Sequence, residues 1–141
     1  MMTKNITDIT RFLDAQNILG GTYAHAMREM ENGKKLSHWI WFIFPQLRGL
    51  GHSKRSHYFG ISNRAEAEAF LAHPILGPRL RQITTTLLRH TDKTAIEIFG
   101  PIDAMKVQSC MTLFDCIAPN DIFNTALTQF YDSQRDSRSI V

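Results

Sequence analysis

The residues of this chain best suited to chemistry stand close together. Lys35, His38, Trp39, Trp41 and Gln46 lead into the string Gly49-Leu50-Gly51-His52-Ser53-Lys54. Lysines neutralise phosphate, a histidine moves protons near neutral pH, and an indole stacks on a base. Glycines let a backbone turn its N–H groups inward around an anion, to which Ser53 adds a hydroxyl. The spacing is not that of a Walker A loop, which needs four residues before Gly-Lys-Ser/Thr, and Lys54 stands where a dinucleotide fingerprint has its third glycine. The bland alternative is a tight loop beside core aromatics and solvated bases.

A second group lies far along the chain. Lys106, Ser109 and Leu113 share one face of an otherwise apolar helical segment, where a lysine must either snorkel outward or meet an anion. Asp103, three residues before Lys106, is its natural ion-pair partner. No Gly-x-Ser-x-Gly elbow surrounds Ser109, so a serine hydrolase is not indicated. The six histidines show no metal-ligand spacing. No metal site or cofactor is therefore expected.

Charge placement supports an anion-binding reading. Net charge is +3, but no acidic residue lies between Glu31 and Glu66, a window with six lysines and arginines, both tryptophans, Phe42, Phe44, Tyr58 and Phe59. Absence of paired carboxylates there argues against glycosidase or two-metal chemistry.

Helical periodicity supplies most of the elements that must position these groups. It predicts helices over Ile6–Gln16, from a Thr22 cap to Asn32-Gly33, over Arg64–Ala72 after an Asn63 cap, and from Pro74 to about His90. Further helices are expected over Thr94–Phe99, over Ile102–Ile117, and after Asn120 or Asp121. Ser37–Pro45 suits a buried strand by composition, yet no comparable strand exists to pair with it, so a short buried helix is expected. Gln46 to Asn63 reads as a long ordered loop containing Gly49, Gly51 and Gly60. The expectation is an all-α bundle of about seven helices forming one domain over 1–141.

The chain has 141 residues, 43% of them hydrophobic, enough to bury a core without metal or disulfide staples. No apolar stretch approaches the roughly 20 residues that cross a bilayer. The amino terminus lacks a signal-peptide core, so a cytoplasmic protein is expected. Cys110 and Cys116, six apart on one helix, are in the wrong geometry for a disulfide and should be reduced thiols.

Longer strings carry a resemblance. Gly33-Lys34-Lys35-x-Ser37-His38-Trp39-x-Trp41-Phe42-Ile43-Phe44-Pro45-Gln46-Leu47-x-Gly49-Leu50-Gly51-x-Ser53 closely resembles the hallmark of the domain of unknown function 1810 family. So do His73-Pro74-x-Leu76-Gly77-Pro78-Arg79-Leu80, Ile98-Phe99-Gly100-x-x-Asp103-x-x-Lys106 and Ser109-x-Met111-Thr112-Leu113-Phe114. The likeness spans about residues 8–138 and implies a compact, mostly helical bacterial protein. It implies no activity. The calpastatin label some members carry denotes a disordered inhibitor and does not suit this composition. The chain departs from the family pattern with His52 at a usual arginine, Cys110 at a usual serine, and Ser133-Gln134 at a usual Gly-Gly. A distant likeness to helical ADP-ribose N-glycosidases is a further alternative, but their catalytic residues do not align here.

Three functions remain open. In the first, the protein binds, or binds and hydrolyses, a phosphate-bearing small molecule such as a nucleotide or ADP-ribose conjugate. There His38 and Lys106 are the catalytic candidates, and Lys35, Trp39, Trp41, Gln46, Gly49, Gly51, Ser53 and Ser109 hold the ligand. In the second, the same surface binds single-stranded nucleic acid without chemistry. In the third, the strings are fold-critical and the partner is another protein. Lysines serving an anion should be dispensable for folding, whereas lysines of a scaffold should pair with nearby carboxylates.

Overall fold

A computed structural model of the protein describes residues 8–18 and 21–141. Among these, nine α-helices follow in order: α1 (Thr10–Gln16), α2 (Thr22–Glu31), α3 (Ile40–Ile43), α4 (Lys54–Tyr58), α5 (Arg64–Ala72), α6 (Leu76–Leu88), α7 (Ala95–Phe99), α8 (Pro101–Ile117) and α9 (Ile122–Tyr131). A single 3-10 turn, Ser137–Ser139, closes the chain. The fold is all-α, and the only pairing of strand type among the described residues is an isolated parallel bridge between Leu47 and Ile61.

Local chemistry explains where the helices start. Asn63 Oδ1 accepts from the Glu66 N–H to open α5, and Thr94 and Glu97 form a reciprocal capping box at α7. Asp121 accepts from the Ile122 N–H at α9. Pro101 occupies the first position of α8, where its missing donor costs nothing. Pro74, expected at the first helical position, precedes the helix instead, and the His73 ring opens it: its Nδ1 accepts from the N–H groups of Ile75 and Leu76. The helix accordingly begins two residues after Pro74.

Other expectations need correction. Thr22 lies inside α2, and its cap position belongs to Gly21, in the left-handed region at φ 75°. Ile6 and Thr7, the predicted start of the first helix, lie outside the described residues. Most importantly, the stretch from Gln46 to Asn63 is not all loop, because α4 sits in its middle with Ser53 Oγ capping the Ser56 N–H. The short buried helix expected after Ser37 is present as α3.

The core is built around α8, which packs on α5, α7 and α9. Phe12, Phe70, Phe114 and Phe123 form a chain of ring contacts with centroids 5.1–5.8 Å apart, in the range where aromatic pairs attract. The close approach of α5 and α6 requires Gly77: a Cβ there would lie 2.0 Å from the Leu71 carbonyl oxygen. One buried ion pair ties the amino-terminal helix to the middle of the chain. Arg11 grips both carboxylate oxygens of Glu66 and also donates to the carbonyls of Tyr58 and Gly60, which anchors the segment after α4.

Candidate functional site

The candidate residues converge on the amino-terminal half of α8. Two cavities of about 410 Å³ each meet there, sharing Ile102 and Lys106 in their walls. The first is walled by Gln46, by Leu50 through Ser53, and by Met105, Ser109 and Arg138. The second is walled by Lys35, His38, Trp41 and the start of α8 from Gly100 to Asp103. This size suits small ligands.

Sequence-distant segments are fastened together to make this cleft. The Lys35 N–H donates to the Ile98 carbonyl, placing the segment before α3 against α7. Glu29, from α2, then organises that segment. Its carboxylate accepts from the N–H groups of Leu36 and Ser37, the Ser37 hydroxyl and the Trp39 indole. Burial alone would raise the Glu29 carboxyl pKa, but these hydrogen bonds outweigh it and hold the group below its ordinary value.

The charge arrangement is uneven. Lys35 Nζ lies 2.8 Å from one oxygen of Asp103, and Lys106 Nζ lies 3.4 Å from the other. Both lysines thus pair with a carboxylate, as a scaffold requires, but they share a single one. The cluster carries one positive charge in excess. It also sits at the amino end of a 17-residue helix whose first N–H groups have no side-chain cap, so the helix dipole adds positive potential. Lys35 is nearly buried, with 8% of its side chain exposed, whereas Lys106 keeps 23%. Lys106 and Arg55 both stand about 5 Å from the centre of the Trp41 ring, in cation–π range. The Trp41 Nε1 itself is buried without a hydrogen-bond partner among the described residues.

Not every predicted ligand residue reaches the cleft. Trp39 is 1% exposed, its Nε1 held by Glu29, and it supports Lys35 from below at 5.2 Å. Gly49, at φ 100°, lines neither cavity. Gly51 does, and its lack of a side chain is explained by packing: a Cβ there would lie 2.6 Å from Ser56. The hydroxyls of Ser53 and Ser109 face existing partners, Ser53 capping α4 and Ser109 donating to Asp136 Oδ2 at 2.6 Å. His38 is exposed in the wall of the second cavity.

Sequence reasoning missed three features. Ile102 and Met105, 70% and 60% exposed, present apolar surface inside the cleft. Arg138 arrives from the carboxy-terminal segment. The only signal for the first two was their phase on α8, opposite the core face; nothing local pointed to Arg138. Among the described residues no group of three or more histidines, cysteines or acids is placed to hold a metal. No helix there is long and apolar enough to cross a membrane.

Comparison with known proteins adds a family but no activity. The family model described as protein of unknown function (DUF1810) matches residues 6–141. The crystal structure of the conserved hypothetical protein Rv1873 from Mycobacterium tuberculosis is similar, with 39% sequence identity, a TM-score of 0.90 and coverage of 96% of each chain. No functionally curated protein matches this chain.

Proposed function

The chain belongs to the DUF1810 family, and on that premise we propose that the cleft on α8 binds a phosphate-bearing small molecule such as a nucleotide or an ADP-ribose conjugate. One observation carries this reading: two lysines share the single carboxylate of Asp103 at the uncapped amino end of a long helix. A fully matched ion pair would need nothing more, whereas this cluster has positive charge to spend on an anion. Lys106 is the contact, because it remains accessible from both cavities. Lys35 orients Asp103 from beneath.

The exposed side chains of Ile102 and Met105 favour a ligand that also has an apolar or ring portion. Burial of Trp39 leaves one tryptophan at the cleft, which favours a compact molecule over the row of stacking platforms used by single-stranded nucleic acid. Turnover of the bound molecule is the finer part of the proposal, with His38 moving a proton and Lys106 stabilising the developing charge. The setting we propose is the cytoplasm, where the two free thiols stay reduced.

Thermal unfolding with inorganic phosphate, pyrophosphate and ADP-ribose tests this, since a ligand that binds only the folded state raises its stability. At least one should raise the midpoint, and Lys106→Ala should weaken that ligand about tenfold, the value of one charge-assisted contact. If none of the three shifts the wild type at millimolar concentration, the reading is wrong.

A further inference from the structure

The carboxy-terminal segment is strapped to α8 by contacts along its length. Gln108 Nε2 donates to the Gln134 carbonyl, Arg135 pairs with Asp115, and the Asp136 N–H donates to Thr112 Oγ1. Asp136 is the clasp: its Oδ2 accepts from Ser109 and Ser139 at 2.6 and 2.7 Å, and its Oδ1 accepts from the N–H and Nε of Arg138. Four side chains of α8, Gln108, Ser109, Thr112 and Asp115, are thus committed to holding a stretch with little apolar burial of its own. What this stretch delivers is Arg138, the one strap side chain in the wall of the first cavity.

The arginine is held in a particular way. Asp136 engages Nε, which orients the guanidinium, while the two terminal nitrogens have no partner among the described residues. That is the pair of donors with which arginine grips carboxylate or phosphate in bidentate fashion. Lys106 lies in the wall of the same cavity, and Ile102 and Met105 complete it.

Building on the phosphate-binding reading above, we propose that Arg138 is a second anion contact of the same site. The ligand class is then a compact ring-bearing molecule with two separate anionic groups, one met by Lys106 and the other by Arg138, with Ile102 and Met105 against the ring.

Calorimetric titration of the full chain with adenosine 5′-monophosphate and adenosine 3′,5′-bisphosphate tests the proposal. The wild type should bind the bisphosphate at least tenfold more tightly. Arg138→Gln should erase that preference, bringing the bisphosphate down to the affinity of the monophosphate, and should lower the unfolding midpoint only slightly because its contact to Asp136 is half-exposed. If Arg138→Gln unfolds, Arg138→Lys takes its place, since it keeps the charge and loses the fork, and the preference must fall. A wild type without preference, or a variant that keeps it, overturns the second contact while leaving the phosphate site standing. Failure of both nucleotides and inorganic phosphate to bind the wild type overturns both readings.

Discussion

Asp103 serves two lysines, and their unequal exposure gives them unequal roles. Lys35 is nearly buried and packs over Trp39, so its removal leaves Asp103 with a weaker partner in a partly desolvated place. Lys35→Ala should therefore lose about 1–3 kcal/mol in denaturant unfolding, the range for leaving a desolvated polar group short of a partner. Lys106→Ala should lose less than about 1 kcal/mol, since its longer contact to Asp103 is the more solvent-accessible of the two. The expectation that both lysines of an anion site are dispensable for folding thus narrows to Lys106 alone; equal losses would remove the distinction between them. Asp136 provides a separate test at the same scale. Burial would raise its pKa, but hydrogen bonds from Ser109, Ser139 and Arg138 hold it at about 2. A carboxylate depressed on folding stabilises the protein above its unfolded value near 4, and that contribution disappears as pH falls from about 4 to 2. It amounts to about 2 kcal/mol. Unfolding curves at pH 7 and pH 2 should show Asp136→Asn losing correspondingly less stability on acidification than the wild type.

The contact between α5 and α6 depends on a single missing atom. Gly77→Ala would drive a methyl group into the Leu71 carbonyl, and the helices must separate or bend to admit it. A loss of about 3 kcal/mol is expected, at the upper end of overpacking, readable as a lower denaturant midpoint; an unchanged midpoint would mean that the helices part freely. Element by element, the legible features were those written in neighbouring residues. Asn63 and Asp121 cap the helices that follow because capping is a matter of three residues, whereas Thr94, expected inside its helix, is the cap of α7. Helix α4 was not legible: Lys54–Tyr58 is five residues long and has no apolar stripe, so periodicity has nothing to register. The candidate site divides in the same way. Its cations and aromatics were visible as a run, while the carboxylates that organise them, Glu29 and Asp103, come from outside the window that lacks acids. Arg138 lies thirty-two positions beyond Lys106, and only the packing of the strap on α8 brings the two to one cavity.

At the scale of the molecule, α8 serves both the core and the cleft. Its inner face buries Val107, Cys110, Met111 and Phe114, and its exposed amino-terminal side walls both cavities. The two thiols report on this division. Burial raises the Cys110 thiol pKa well above its ordinary value, whereas Cys116 is partly exposed near the end of the helix. Because the thiolate is the reactive form, a thiol reagent at pH 8 should modify one cysteine in the folded protein and two in denaturant. Two fast-reacting thiols under native conditions would mean that the core around α8 opens readily.

The placement of the two indoles has an optical consequence. Trp39 is sealed in the core with its N–H fixed on Glu29, while Trp41 stands half-buried in the cleft wall with Lys106 and Arg55 near its ring. An anion drawing Lys106 away changes the electric field across Trp41 and leaves Trp39 in unaltered surroundings. Intrinsic fluorescence therefore reads the cleft without any added label. Its second emitter, two residues away, is a built-in reference for the intactness of the fold.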